Sequence, residues 1–174
     1  QISVFEGGFD LDAIDHIISF DGSNDAPWPI DAVQSLVEKS LVRRTGDDRF
    51  DVLVSVRAYA TQKLESMGAR DSARTRHAEY YAAFGTSEAV DAIIRHGGIE
   101  ILEKLILEFE NLRGAIQWGL SNQLTEVSLN CHRALLTVLE RRGPLAQAIE
   151  WTHQVLEQLE MPPLQRAHCV VLQG

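Results

Sequence analysis

Apolar side chains recur every third or fourth position along most of this chain, a spacing that predicts amphipathic α-helices. At the start of the sequence the pattern predicts two short helices, the first capped by Asp10 and the second beginning at Asp31. Residues 21–29 lie between them and contain one glycine and two prolines, which predicts a loop. The apolar faces of these helices are formed by Leu11, Ile14, Ile17 and Ile18, and by Val33, Leu36, Val37 and Leu41.

The pattern changes over residues 42–53, where two short runs flank a turn rich in glycine and aspartate. Phe50 and Val52 alternate with charged neighbours, which predicts a small β-hairpin, the one convincing strand signal in the sequence. A helix capped by Ser55 and ended by Gly68 follows. The order helix, helix, hairpin, helix over residues 1–68 is that of a winged-helix domain, whose first helix we expect to lie mostly upstream of Gln1.

Residues 69–174 follow the helical period throughout, so the predicted fold is mainly α: the winged-helix domain and then an α-solenoid of antiparallel helix pairs. The longest apolar stripe, over residues 102–120, predicts one long, kinked helix at the centre of this array. Leu135, Gly143, Ala148 and Leu156 have the spacing of a tetratricopeptide repeat. We therefore expect the array to be tetratricopeptide-like from about residue 124.

The charge balance narrows the classes of partner. The chain has 16 basic and 25 acidic residues, a net charge of −9, which opposes general binding to nucleic acid or anionic lipid. No apolar run is long enough for a membrane span, and two cysteines do not form a disulfide framework. These features predict a cytoplasmic protein that does not bind membranes. Because the sequence begins and stops inside apolar runs, we expect it to be part of a longer chain.

A search for catalytic chemistry gives no candidate. The sequence has no P-loop, GxSxG, HExxH or EF-hand pattern. Cys131-His132 and His168-Cys169 are adjacent pairs on separate predicted helices, a poor match to the spacing of zinc ligands. We therefore predict no catalytic, cofactor-binding or metal-binding residues, and no enzymatic activity of this segment itself.

Basic residues cluster near the predicted wing. Lys39, Arg43, Arg44 and Arg49 would contact phosphates in a DNA-binding winged helix. However, residues 1–60 contain five basic and eleven acidic residues, and acids lie among the wing arginines. Because these acids repel phosphate, we expect this domain to have negligible affinity for DNA.

Five blocks of the sequence, in order and in register, resemble segments of bacterial ATPases of the STAND class, which are relatives of the NB-ARC switch proteins. The blocks are residues 3–13 (SVFEGGFDLDA), 36–42 (LVEKSLV), 50–60 (FDVLVSVRAYA), 76–81 (RHAEYY) and 110–118 (ENLRGAIQW). The resemblance implies a P-loop ATPase core upstream, then the winged helix, then a helical sensor. It thus implies that this chain is a non-catalytic regulatory segment.

The resemblance also implies a mechanism and partners. The winged helix would be an intramolecular switch that docks on the upstream nucleotide-binding domain, and the array would bind a protein or small-molecule inducer. In the NB-ARC relatives a Met-His-Asp segment closes over the nucleotide. Val52, Leu53 and Val54 match its positions here, and their side chains cannot bond phosphate. Arg57 is the nearest group able to pair with phosphate or with an acidic partner, although a surface ion pair would also explain it.

The residues assigned to the switch interface are therefore Arg57, Lys39, Arg43, Arg44 and Arg49. Two other functions remain open at this point: a DNA-binding winged-helix transcription regulator, and a free-standing helical scaffold.

Overall fold

The computed structural model describes residues 1–20, 26–46, 48–95, 98–143, 151–153, 155 and 157–158. In this part of the chain the fold is mainly helical with a small antiparallel sheet near the N terminus, which confirms the predicted fold class. The helices are α1 (Leu11–Ile17), α2 (Pro29–Glu38), α3 (Val54–Ser66), α4 (Arg70–Ala82), α5 (Ser87–Ile94), α6 (Gly98–Leu107), α7 (Phe109–Ser121) and α8 (Thr125–Arg142). The strands are β1 (Phe9–Asp10), β2 (Val42–Arg44) and β3 (Arg49–Val52), and short 3-10 turns cover Ile2–Val4 and Ala83–Gly85.

The sheet has the strand order β1-β3-β2, with both neighbours antiparallel to β3. The hairpin β2–β3 pairs Val42 with Val52, as the alternating pattern predicts. Strand β1 was not predicted, because two residues are too short for alternation to show; it pairs Phe9 with Phe50. With α1 and α2 between β1 and the hairpin, this arrangement has the topology of a winged helix.

Local chemistry fixes where the first helices begin. The Asp10 carboxylate accepts a hydrogen bond from the backbone N–H of Ala13 at 2.8 Å, which confirms the predicted cap of α1. Helix α2 begins at Pro29 rather than at Asp31, since proline is well suited to the first helical position. Helix α3 begins at Val54 without a side-chain cap, so the predicted cap by Ser55 is wrong.

One apolar core runs through both halves of the described chain. Helix α4 packs against α1 and the Ile2–Val4 turn on one side and against α7 and α8 on the other. The largest side chains that are fully buried come from both halves: Phe5, Phe9, Ile14, Ile17, Tyr81, Leu105, Leu112 and Leu135. The winged-helix residues and the helices after them therefore share a core rather than having separate ones.

The predicted long helix over residues 102–120 is two helices, α6 and α7, separated at Glu108 (φ −93°, ψ 7°). Leu112 is fully buried in this region, whereas Phe109 is half-buried, with its ring 5.8 Å from that of Trp151. Ala148 and Leu156 of the predicted tetratricopeptide pair lie outside the described residues, as does the His168-Cys169 pair. Of the helix predicted from residue 144, residues 151–153, 155 and 157–158 are described and are helical, and Thr152 and Val155 are buried.

Candidate functional site

A buried polar cluster joins the sheet of the winged helix to the helices of the array. Its five members are Arg49 on β3, His77 and Tyr81 on α4, Glu108 between α6 and α7, and Asn111 on α7. We call this cluster the junction. Buried polar groups are costly unless they are hydrogen-bonded, so the partners of each side chain decide what the junction contributes.

Glu108 is the central acceptor of the junction. One carboxylate oxygen forms an ion pair with the guanidinium of Arg49, and the other accepts hydrogen bonds from the Tyr81 hydroxyl at 2.8 Å and the Asn111 amide at 2.7 Å. The second terminal nitrogen of Arg49 donates to the backbone carbonyls of Gly7 and Leu107, at 2.8 and 2.6 Å. A charge from the wing hairpin is thus neutralised by a charge from the array.

Asn111 uses all of its side-chain hydrogen-bonding capacity. Its Nδ2 donates to Glu108 and to the carbonyl of Gly8 at 2.8 Å, while its Oδ1 accepts from the backbone N–H of Glu6 at 2.8 Å. The same oxygen faces Nε2 of His77 at 3.4 Å. A neutral side chain with two N–H donors and a two-lone-pair acceptor is needed here, and among the amino acids only the amides supply it. This accounts for the asparagine in the ENLRGAIQW block, which sequence reasoning did not single out.

Gly8 brings the first loop close enough to reach the junction. Its backbone has a φ of +83°, and a Cβ at this position would lie 2.8 Å from the carbonyl oxygen of Phe50. Both features disfavour any side chain, since only glycine adopts this backbone conformation freely. Gly8 therefore lets the loop lie against β3 and Asn111.

Burial keeps two members of the junction, His77 and Tyr81, uncharged at neutral pH. Burial lowers the pKa of His77 to about 4, assisted by the nearby charge of Arg74 and opposed by the hydrogen bond to Asn111. Burial and the charge of Glu108 raise the pKa of Tyr81. At neutral pH the histidine and the tyrosine are both uncharged, so the junction contains one compensated ion pair. This arrangement suits a structural link.

Acidification should weaken this link. Below pH 6.5 the unfolded chain protonates His77 while the folded chain resists doing so, so the free energy of unfolding should fall as the pH drops from about 6.5 towards 4. Burial lowers the pKa of His132 to about 4 as well, so it acts in the same pH range. Urea unfolding at a series of pH values gives the free energy of unfolding as a function of pH. This free energy should change less steeply with pH for His77→Asn than for the parent. A variant of exposed His16, His16→Asn, is the control, and equal slopes for all three proteins would contradict the prediction.

The five residues assigned to a switch interface lie in different environments. Arg43 and Arg57 meet at the Asp51 carboxylate, at 2.7 and 3.3 Å, and Arg57 also donates to the carbonyl of Glu6 at 2.9 Å. Arg44 lies over the ring of Phe50, 5.5 Å from its centre. Arg49 points into the junction, and Lys39 is an exposed residue at the end of α2. The structure thus brings Arg43 and Arg57 together at Asp51 and places Arg49 within the junction.

An apolar edge accompanies this pair of arginines where β3 passes into α3. Leu53 is 38% exposed and Val54 is 85% exposed, although both are aliphatic. Val54 lines an open cavity of about 450 Å³ together with Gly7, Gly8, Thr45, Asp51 and Arg57. We call Leu53, Val54, Arg43 and Arg57 the α3 edge. Exposed aliphatic side chains beside ion-paired arginines form a surface suited to contact with protein.

Comparison with known proteins finds similarity to one segment of long proteins from mycobacteria. The chain is 31% identical, over 161 residues and 90% of its length, to proteins of Mycobacterium tuberculosis and Mycobacterium bovis whose names describe them as HTH-type transcriptional regulators. It covers 18% of their length. No family model matches the sequence, and no solved structure matches it. The chain is therefore a distant homologue of one segment of these long regulators.

The helix that would read DNA in such a fold carries the wrong charge for it. DNA-binding helix-turn-helix proteins place their second helix in the major groove, and the order of elements here gives that position to α2. Between Pro29 and Glu38, helix α2 carries the acidic residues Asp31 and Glu38 and no lysine or arginine, and exposed Lys39 follows its last residue. In the described part of the chain, no helix is long and apolar enough to cross a membrane, and no group of metal-ligating side chains occurs.

Proposed function

We propose that this chain is the winged-helix and helical-array segment of a STAND-type regulatory ATPase. In this proposal the winged helix is an intramolecular switch that docks on a nucleotide-binding domain of the same polypeptide, and the array receives the signal. The segment itself would carry no catalytic residues and no cofactor. Homology to long transcriptional regulators supports a regulatory role, and the five sequence blocks support the STAND class.

The junction is the observation that carries the proposal. A switch of this kind needs a mechanical link between the helices that sense the signal and the domain that docks. Glu108 and Asn111 of the array bind Arg49 of the wing hairpin and the backbone of the loop before β1. Because this link is buried and its charges are compensated, a displacement of α7 is transmitted to the wing rather than absorbed by a flexible linker.

The α3 edge is the surface that would meet the nucleotide-binding domain. Leu53 and Val54 occupy positions at which the NB-ARC relatives place their nucleotide-closing segment, yet their side chains cannot bond phosphate. Docking here would therefore rest on apolar contact and on the arginines. Arg57 is already oriented by Asp51 and by the carbonyl of Glu6, so little side-chain freedom remains to be lost when a carboxylate approaches. Release of this contact by a signal at the array would shift the population towards an open state.

Introduction of negative charge at the α3 edge tests the switch in the full-length protein. Leu53→Glu with Val54→Glu should release the winged helix and raise the rate of nucleotide exchange about tenfold, the effect of roughly 1.4 kcal/mol of lost docking energy. Exchange of a fluorescent ADP analogue is the measurement. Tyr59→Glu, at an exposed position of α3, controls for added negative charge and should leave the rate unchanged. Unchanged exchange in the double variant, or a full-length protein without a P-loop domain, would refute the proposal.

The DNA-binding alternative draws support from the name of the relatives alone. That name describes the whole regulators, and the aligned segment is 18% of each. The acidic face of α2 favours the switch over DNA binding by this domain. A free-standing helical scaffold would not require the buried link between the array and the winged helix.

A further inference from the structure

We propose that a cavity between α7, α8 and the helical residues that follow them is a binding site for a small aromatic carboxylate. The cavity has a volume of about 140 Å³. We call it the array cavity. Five apolar side chains contribute to its wall: Ile116, Leu120, Leu135, Trp151 and Val155.

The size and the wall of the array cavity select the body of the ligand. An apolar cavity of about 150 Å³ holds a single benzene ring, whereas sites for drug-sized molecules measure roughly 300–1,000 Å³. Trp151 gives the wall an aromatic surface, and its ring contacts the ring of Phe109 at 5.8 Å and the guanidinium of Arg113 at 5.2 Å. Aromatic rings pack favourably on one another. The cavity therefore suits one aromatic ring and is too small for a nucleotide.

A single charged group selects the sign of the ligand. Among the described residues that line the cavity, Arg113 alone is charged, and the other polar ones are Gln117, His132 and Gln158. His132 is buried, and burial lowers its pKa to about 4, so it is neutral at pH 7. No carboxylate of the lining opposes an anion. Arginine binds carboxylates through its planar fork, and the two glutamine amides can add N–H donors.

The existing ion pair of Arg113 leaves capacity for a second carboxylate. Its Nη1 lies 3.1 Å from Glu110, which is not part of the lining. Both side chains are about half exposed, and ion pairs that are exposed to solvent are weak. Because a guanidinium has five N–H donors, Arg113 can bind a ligand carboxylate without releasing Glu110.

A buried hydrogen bond holds the third side of the cavity against α8. Nε2 of His132 lies 3.1 Å from the hydroxyl of Thr152, and both residues are buried. This contact fixes the segment that carries Trp151 and Val155. A site whose walls are held together before binding loses less conformational freedom when the ligand enters.

The position of the array cavity connects it with the junction. Helix α7 lines the cavity and also carries Asn111, which binds the loop before β1. A ligand here would contact the helix that links the array to the wing. This consequence for signalling rests on the proposed function, whereas the binding itself is inferred from the cavity alone.

A titration followed by ligand-observed NMR tests the site on the 174-residue chain. Benzoate is the probe. Benzamide has the same shape without the charge, and acetate has the charge without the ring. Arg113→Gln removes the cation, and Leu120→Trp fills the cavity from a partly buried position on α7. Arg95→Gln removes the same charge at an exposed position after α5 and is the control.

The expected result is binding of benzoate with a Kd on the order of 100 μM, about tenfold tighter than that of benzamide or acetate. Arg113→Gln should weaken benzoate binding about tenfold and leave benzamide binding unchanged, and Leu120→Trp should abolish both. Arg95→Gln should bind as the parent does, and circular dichroism should show that all variants are folded.

Four outcomes would overturn the proposal: no binding of benzoate, equal binding of benzamide or acetate, equal weakening by Arg95→Gln, or binding that survives Leu120→Trp. None of them would bear on the switch, which nucleotide exchange at the α3 edge tests separately.

Discussion

Glu108→Ala is expected to lower the free energy of unfolding by about 3–5 kcal/mol, because it removes one partner of a buried ion pair. Arg49 would keep its charge in a buried setting without an anion, and Tyr81 and Asn111 would each lose an acceptor. Such unpaired groups cost more than the ion pair itself contributes. Urea unfolding followed by circular dichroism measures the change.

Two variants separate the junction from a general effect of charge. Glu108→Gln keeps an acceptor oxygen but loses the charge, so it should cost less than Glu108→Ala. Glu110, close by on α7, forms an exposed ion pair with Arg113 at 3.1 Å, and Glu110→Ala should cost less than about 1 kcal/mol. Equal destabilisation by Glu108→Ala and Glu110→Ala would show that the junction is not a buried link.

Leu112→Ala should destabilise the chain by about 2–5 kcal/mol, whereas Phe109→Ala, which removes a larger side chain, should cost less than about 2 kcal/mol. Leu112 is fully buried among the helices, and Phe109 is half-buried. The cost of truncation follows the apolar area that is withdrawn from water and the cavity that is left. The same unfolding assay measures both variants, and a larger loss for Phe109→Ala would show that α7 faces its neighbours differently.

The periodicity of the sequence predicts most of the helices but does not rank the residues along one stripe. Leu112 and Phe109 both belong to the stripe over residues 102–120, and only the packing of α7 separates their burial. The break at Glu108 was equally invisible, because an acidic residue within a helical pattern is usually exposed. Glu108 is instead buried and pairs with Arg49, which lies 59 residues earlier in the sequence, so no local pattern reveals its role.

Some features of the molecule around the candidate site follow from local sequence, and others depend on partners distant in sequence. Local signals predict the cap at Asp10 and the hairpin, since each depends on residues a few positions apart. The interface assignment of Arg49 rested on its position beside the wing, and nothing local shows that it turns inward. Asn111 could have been noticed as a polar residue on the apolar side of its helix, which is a signal of a buried hydrogen bond.

The junction also determines when this domain can finish folding during synthesis. The wing hairpin emerges from the ribosome well before α7. Arg49 therefore cannot pair with Glu108, and the N–H of Glu6 cannot bond to Asn111, 105 residues later, until α7 has been synthesised. Contacts this distant in sequence close slowly and leave apolar surface open in the meantime. A nascent chain that stalls between α4 and α7 would therefore expose winged-helix residues that α7 later covers. Chaperones would be needed while the chain is at this length.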